Sequence, residues 1–136
     1  MARILIAGGS LGGLMAGNAL LRAGHEVCVL ERVSGAMDGR GAGIVTHPAL
    51  VEGLHRCGMD PATALGVAVS KRVTLGNDGC LLGELAMDQV LTSWSRLYFL
   101  LHALLPAACY RQGVQVREVT QDAAGVRVGT DQGVLH

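Results

Sequence analysis

The stretch from residue 4 to residue 31 constrains the fold more than any other part of the chain. Ile4–Ala7 is a short apolar run of the kind that forms a strand buried on both faces. A glycine-rich turn follows, and apolar residues then recur at helical spacing until Gly24, a residue type that commonly ends helices. A second apolar run, Glu26–Leu30, is followed by the carboxylate of Glu31. This order of strand, glycine turn, helix, strand and acid is typical of the βαβ unit that binds a dinucleotide.

The turn carries the predicted pyrophosphate site, which consists of Gly8, Gly9, Ser10, Leu11, Gly12 and Gly13. Gly8 permits the tight turn out of the strand, and Gly13 lets the helix pack close to the sheet. Ser10 stands where the motif has its second glycine, so the backbone approach is less open there, although its hydroxyl can donate to a phosphate. Unpaired N–H groups and the positive end of the helix dipole then favour a pyrophosphate over the turn.

The carboxylate of Glu31 is the predicted adenosine contact. At the end of the second strand it can accept hydrogen bonds from ribose hydroxyls. A carboxylate there repels a 2′-phosphate, so we expect the adenosine of FAD or NAD to be preferred to that of NADP. The alternative is a purely structural glycine turn, which the complete strand, helix and acid context disfavours.

Length and composition favour a single domain over residues 1–136. Half of the residues are hydrophobic and 16% are charged, so the chain can bury a core. The formal net charge is zero and aromatic residues make up only 3%, which predicts no nucleic-acid partner and no anionic membrane surface. Glycines interrupt the N-terminal apolar stretch, and no run reaches transmembrane length, so we expect a cytoplasmic protein.

The cysteines and histidines predict no metal site. The four cysteines lie far apart without a C-x-x-C pair, which is typical of reduced structural thiols. The five histidines likewise lack the spacing of metal ligands.

A glycine-rich loop at residues 32–42 follows the βαβ unit and leads into the extended segment Gly41–Val45. It is either a plain flexible loop or a segment that lies flat against a bulky ligand, with Arg40 aimed at its phosphates. The sequence favours neither alternative over the other. A helix is then predicted from Pro48, at its first position, to about Cys57.

The remaining sequence predicts a hairpin, a helix and a β-meander. Val67–Leu75 and Cys80–Leu85 flank a turn rich in glycine, asparagine and aspartate, which is a strong hairpin signal. Thr92 and Ser93 cap a helix that begins at Trp94 and ends near Leu105. Its predicted apolar face consists of Trp94, Leu97, Leu101, Leu104 and Leu105. Phe99 falls on the opposite side, either as a single exposed aromatic residue or as part of a face that meets a ligand or a domain.

These elements predict an α/β fold with a Rossmann-like, FAD- or NAD(P)-binding parallel sheet, a β-hairpin excursion and a truncated β-meander. The expected parallel strands are Ile4–Ala7, Glu26–Leu30 and Val114–Val119, and Val126–Val128 continues the meander. Because the chain stops inside the meander, we expect open sheet edges that lead to self-association or a homo-oligomer.

Four segments in this order resemble the N-terminal part of the FAD-dependent aromatic hydroxylases. They are Ile6–Leu14, Val29–Arg32, Arg40–Val45 and Thr92–Tyr98. These hydroxylases are the class A flavoprotein monooxygenases of the p-hydroxybenzoate hydroxylase type, and within them the chain is most similar to the 2,6-dihydroxypyridine 3-hydroxylase branch. The resemblance covers essentially the whole chain and implies an FAD cofactor.

The resemblance also implies site residues. The FAD pyrophosphate would lie over the glycine turn and the adenosine ribose on Glu31, with Arg32 beside it. Arg40, Gly41 and Gly43 would line the route toward the flavin. Family members often carry an FAD-contacting arginine near the start of the helix at 94, and Arg96 is the substitute available here.

In such enzymes NAD(P)H reduces the flavin, and O2 is then used to hydroxylate a small aromatic or N-heteroaromatic substrate. The family continues into a substrate-binding sheet and a second flavin motif that are absent from these 136 residues. We therefore expect a truncated FAD-binding domain without a substrate domain, inactive as a fragment, for which no catalytic residue can be named. The alternatives are a non-catalytic nucleotide-binding or interaction module, and part of an NAD-dependent dehydrogenase.

Overall fold

The computed structural model describes residues 1–37, 39, 41–123 and 125–135, and these residues form a mixed α/β fold as predicted. Within them, nine strands build three sheets that are accompanied by three α-helices. In chain order the elements are β1 (Arg3–Ala7), α1 (Leu11–Arg22), β2 (Glu26–Glu31), β3 (Gly43–Val45), α2 (Pro48–Arg56), β4 (Val67–Leu75), β5 (Leu81–Ser93), α3 (Trp94–Leu104), β6 (Tyr110–Gln112), β7 (Val116–Asp122), β8 (Gly125–Thr130) and β9 (Gly133–Leu135). A single 3₁₀ turn over Ala107–Cys109 connects α3 to β6 in this part of the chain.

The parallel sheet has the strand order β1-β2-β6, which confirms the βαβ unit but corrects its third strand. Val114–Val119 was expected there, whereas Tyr110–Gln112 occupies the position. Gly113 turns the chain at a positive φ of 75°, and the Val114 N–H gives a last hydrogen bond to the Glu31 carbonyl at 2.8 Å. The chain then leaves the sheet and enters β7, so the valine-rich segment pairs with β8 instead.

Helix α1 packs between the parallel sheet and α3. Leu14 is fully buried, and a Cβ at Gly17 would lie 3.1 Å from Val29, so the helix approaches the strand closely. The buried amide of Asn18 donates to the carbonyls of Leu14 and Leu101, each at 2.9 Å. These bonds fix α1 against α3, because a buried amide without partners costs free energy.

The second sheet has the order β3-β5-β4 and contains the predicted hairpin, whose turn has Gly79 at a φ of 81°. Strand β5 is longer than expected and reaches Ser93, because β4 pairs with it from Leu81 to Leu91 and β3 pairs with its last three residues. It leads directly into α3, where the Ser93 hydroxyl accepts the Arg96 N–H at 3.1 Å as the predicted cap.

The predicted apolar face of α3 is partly wrong. Leu97, Leu101 and Leu105 are buried, but Leu104 is exposed and Tyr98 is buried in its place. Tyr98 is not part of the predicted apolar face, but it is buried because other aromatic rings pack around it. Phe99 is 53% exposed, as expected from its position on the helix.

The third sheet is the antiparallel meander β7-β8-β9. A small buried cluster of Leu30, Val114 and Val128 joins it to the parallel sheet. Among the described strands, β1 pairs with β2 alone and therefore keeps one open edge. A groove of about 610 Å³ runs between this edge and the strands β7 and β8. Of the residues that the structure describes, none belongs to a helix long and apolar enough to cross a bilayer.

Candidate functional site

The glycine turn between β1 and α1 is closed by contacts that only glycine allows. Gly8 has a φ of 105°, which L side chains rarely adopt. A Cβ at Gly13 would overlap the Gly8 carbonyl oxygen and would lie 3.5 Å from the Ile6 side chain. The close approach expected at Gly13 is therefore confirmed, with the turn's own backbone as the nearest neighbour.

The outer side of the turn has room for an anion. A Cβ at Gly8 or at Gly12 would meet no described atom within 4 Å. Ser10 is the N-cap residue, yet within the described residues its side chain makes no capping hydrogen bond, and the first turn of α1 holds no acidic residue. Gly12, in the first turn of α1, is exposed, and among the described residues no side chain caps the first N–H groups of the helix, so the turn leaves room for a pyrophosphate.

Glu31 joins the turn to the end of β2. Its Oε2 accepts the Gly9 N–H and its Oε1 accepts the Val33 N–H, both at 2.8 Å, and the residue is 6% exposed. Sequence reasoning expected only a ligand contact at Glu31 and missed these two bonds. Because each carboxylate oxygen has two lone pairs, the side chain retains the capacity to accept a ribose hydroxyl.

Tyr110, which sequence reasoning did not select, packs directly on the turn. Its hydroxyl donates to the Gly9 carbonyl at 3.2 Å, and the hydroxyl of Tyr98 lies 3.2 Å from it. Burial raises the pKa of Tyr110 far above its ordinary value. The one sequence feature that could have indicated a close neighbour such as Tyr110 is the glycine at position 9, because the motif accepts any residue there.

The second group of predicted residues gathers at the start of α3. A Cβ at Gly41 would lie 2.6 Å from Cβ and Cγ of Trp94, and the Trp94 N–H donates to the Ala42 carbonyl at 3.2 Å. Gly43 pairs with Ser93 in the sheet. The segment from Gly41 onward therefore packs against the start of α3. Arg40 lies outside the described residues.

The two candidate arginines within the described residues lie on the surface. Arg32 directly follows β2 and is exposed. Arg96 is exposed as well, and its guanidinium donates to the Ala64 carbonyl through Nε at 3.0 Å and through Nη2. Its side chain is therefore directed at the loop before β4 in this structure.

The structure describes four free thiols and no metal cluster. The cysteines at positions 28, 57, 80 and 109 are free, and burial raises the pKa of Cys28 and of Cys57. Across the described ranges, no group of three histidine, cysteine, aspartate or glutamate residues could hold a metal ion.

Sequence and structure comparisons agree on the family. The family described as FAD binding domain matches residues 1–130. The chain is 30% identical to 2,6-dihydroxypyridine 3-monooxygenase of Paenarthrobacter nicotinovorans over 131 residues, which cover 96% of this chain and 33% of that protein.

Solved structures share the fold. The 2,6-dihydroxypyridine-3-hydroxylase of Arthrobacter nicotinovorans superposes with a TM-score of 0.83 at 30% identity, over 96% of this chain and 33% of that one. The HpxO protein of Klebsiella pneumoniae, solved with FAD and uric acid, also gives a TM-score of 0.83, at 20% identity and over 99% and 36% of the two chains. The chain thus spans about a third of the length of these relatives. With its glycine turn, its βαβ unit and a family match over residues 1–130, the chain belongs to the FAD binding domain family, and FAD is the cofactor that this family binds.

Proposed function

We propose that the chain is the FAD-binding portion of a flavin-dependent monooxygenase, which hydroxylates a small aromatic or N-heteroaromatic substrate with NAD(P)H and O2. The observation that carries the proposal is the open glycine turn joined to Glu31, in a chain 30% identical to 2,6-dihydroxypyridine 3-monooxygenase. Residues 1–136 act as one FAD-binding domain, and the substrate site is built by parts of the enzyme outside this sequence.

The proposed roles follow from the geometry of the turn. Backbone N–H groups at the start of α1 bind the pyrophosphate, and Gly8 and Gly12 leave space for it. Glu31 accepts a ribose hydroxyl while it holds the Gly9 N–H. The resemblance assigns the remaining contacts to Ser10, Arg32, Arg40, Gly41, Gly43 and Arg96, and Arg96 would exchange the Ala64 carbonyl for the cofactor. When bound, FAD supplies the redox chemistry, and the protein supplies its position.

A titration of the purified chain with FAD tests the proposal. We expect the purified complex to be yellow. We also expect the fluorescence of FAD to change as the chain binds it. Gly13→Val should abolish binding and lower the melting temperature, because the added side chain overlaps the Gly8 carbonyl. The matched control is Gly83→Val, in strand β5, where a Cβ would meet no described atom within 4 Å. A chain that binds no FAD, or a Gly13→Val protein with unchanged affinity and stability, would contradict the proposal.

The same titration separates the alternatives. Part of an NAD-dependent dehydrogenase would bind NAD and remain colourless, and a non-catalytic interaction module would bind neither nucleotide. A non-catalytic nucleotide-binding module would also bind in the titration, and it differs from the proposed function in belonging to no enzyme that oxidises NAD(P)H with an aromatic substrate. Family membership favours FAD over both.

We further propose that the chain self-associates through the open edge of β1. The groove between β1 and the meander is lined mainly by apolar side chains, of which Val119 and Val126 are exposed, and it also contains three charged ones, Arg3, Asp122 and Arg127. An open apolar edge is a template for pairing with another strand. We also propose a cytoplasmic location, which the four free thiols support.

A further inference from the structure

We propose that Tyr110 is a positioning residue for FAD, because its hydroxyl holds the backbone of Gly9 and links the glycine turn to α3. This inference rests on the proposed function and extends it to a residue outside the dinucleotide motif.

The contact with Gly9 explains a glycine that the motif does not require. A Cβ at position 9 would overlap the Tyr110 hydroxyl oxygen and would lie 2.7 Å from Cε2 and Cζ of the ring. The ring therefore lies directly against the Cα of Gly9. Since the motif accepts any residue at this position, the tyrosine, and not the phosphate, dictates the glycine.

Both polar backbone groups of Gly9 are held by side chains. Its N–H donates to Glu31 at 2.8 Å, and its carbonyl accepts the Tyr110 hydroxyl at 3.2 Å. The peptide group between Gly9 and Ser10 is planar and trans, so its N–H points opposite to its C=O. The bond from Tyr110 to the Gly9 carbonyl thus directs the Ser10 N–H away from the tyrosine. Tyr110 in this way fixes the orientation of a donor in the turn that receives the pyrophosphate.

Tyr110 also connects the two groups of predicted site residues. Because its single hydroxyl hydrogen goes to Gly9, the Tyr98 hydroxyl donates to Tyr110. Trp94 stacks on Tyr98 with ring centroids 5.0 Å apart, and Trp94 lies against Gly41. A continuous series of contacts therefore runs from the 41–43 segment to the glycine turn.

The protonation of Tyr110 suits this role. Burial raises the pKa of Tyr110, so the hydroxyl stays neutral and able to donate. The edge of the Tyr110 ring also meets His102, at a centroid distance of 4.6 Å, which holds the ring from the side of α3.

The first experiment measures the FAD dissociation constant of Tyr110→Phe by fluorescence titration, at a temperature where circular dichroism shows the protein fully folded. The variant keeps the ring and removes the hydroxyl. The expected loss of one oriented hydrogen bond weakens FAD binding about three- to tenfold. The control is Leu104→Ala, which changes an exposed residue of α3 that is not part of the aromatic series and should leave the affinity unchanged. An equal loss in both variants would overturn the inference.

The second experiment is a double-mutant cycle of Gly9→Ala with Tyr110→Ala. In the presence of Tyr110 the added methyl group overlaps its hydroxyl, so Gly9→Ala should weaken FAD binding strongly. In the Tyr110→Ala background the methyl group has room, and the same change should cost little more. Strictly additive effects would overturn the inference, because they would mean that the two positions act independently.

The outcomes separate the two proposals. If the unmodified chain binds no FAD, the proposed function fails. If it binds FAD and Tyr110→Phe binds FAD equally well, the proposed function stands and the role of Tyr110 is overturned.

Discussion

Replacement of Glu31 by glutamine is the perturbation whose size can be worked out most directly from the structure. The buried carboxylate accepts the N–H groups of Gly9 and Val33, each at 2.8 Å. A glutamine keeps one acceptor oxygen and presents an NH₂ group to the other N–H. One buried backbone donor is then left without a partner.

A buried donor that loses its partner costs about 1–3 kcal/mol, and the cost is at the upper end when the lost acceptor is charged. For a domain of this size, a loss of 1 kcal/mol in the free energy of unfolding lowers the melting temperature by about 3–5 °C. Glu31→Gln should therefore lower the melting temperature by about 3–15 °C without FAD. Glu31→Ala removes both acceptors, so its expected cost of about 2–6 kcal/mol is a large part of a typical domain's stability.

The sequence alone led us to expect that loss of Glu31 would weaken adenosine binding by about 1–3 kcal/mol and leave folding intact. With both carboxylate oxygens engaged by the backbone, we now expect the fold to be destabilised as well. The assay is thermal unfolding followed by circular dichroism without FAD, and then an FAD titration of the folded variant. The matched control is Glu26→Gln, an exposed carboxylate at the other end of the same strand. An unchanged melting temperature for Glu31→Gln would refute the reasoning.

Three further predictions concern activity, assembly and thiol chemistry. Because residues outside this sequence are proposed to build the substrate site, the pure chain should show no NADPH oxidation stimulated by a phenol or a pyridine; such stimulation would contradict the proposed role. Light scattering should detect self-association that Val119→Lys, in the groove beside β1, reduces and that Leu82→Lys, on the exposed hairpin, leaves unchanged; a monodisperse monomer near 14.1 kDa would disprove the edge model. Mass spectrometry should find Cys80 alkylated by iodoacetamide before Cys57, because Cys80 is exposed whereas burial raises the pKa of Cys57 and lowers its thiolate fraction; faster labelling of Cys57 would be the opposite result.

Local patterns were sufficient for the elements that depend on neighbouring residues. Gly24 and Gly58 both have positive φ and follow the helices that the sequence predicted to stop there. Pro48 begins α2, and Ser93 caps α3, because a cap and a fixed φ act within one turn of helix. The βαβ unit was predictable for the same reason, since its strand, turn and helix are continuous in sequence.

The identity of the third parallel strand depended on the tertiary structure. The valines after position 113 have the alternation of a strand, and that alternation is the same whichever sheet the strand joins. The three residues of Tyr110–Gln112 are too few to show any periodicity, yet they are the ones that meet β2. A turn at Gly113 with a φ of 75° follows the last residue that pairs with β2, and Val116 and Val119 after it pair with β8.

The glycine turn, the α-helix and the terminal carboxylate predict a dinucleotide site from sequence, because each of these features acts within a short stretch of chain. The contacts that hold the proposed site are visible in the folded chain alone. Glu31 reaches back 22 positions to Gly9, and Tyr110 reaches back 101. Such bonds depend on where distant segments meet once apolar surfaces are buried, and no local spacing encodes that meeting.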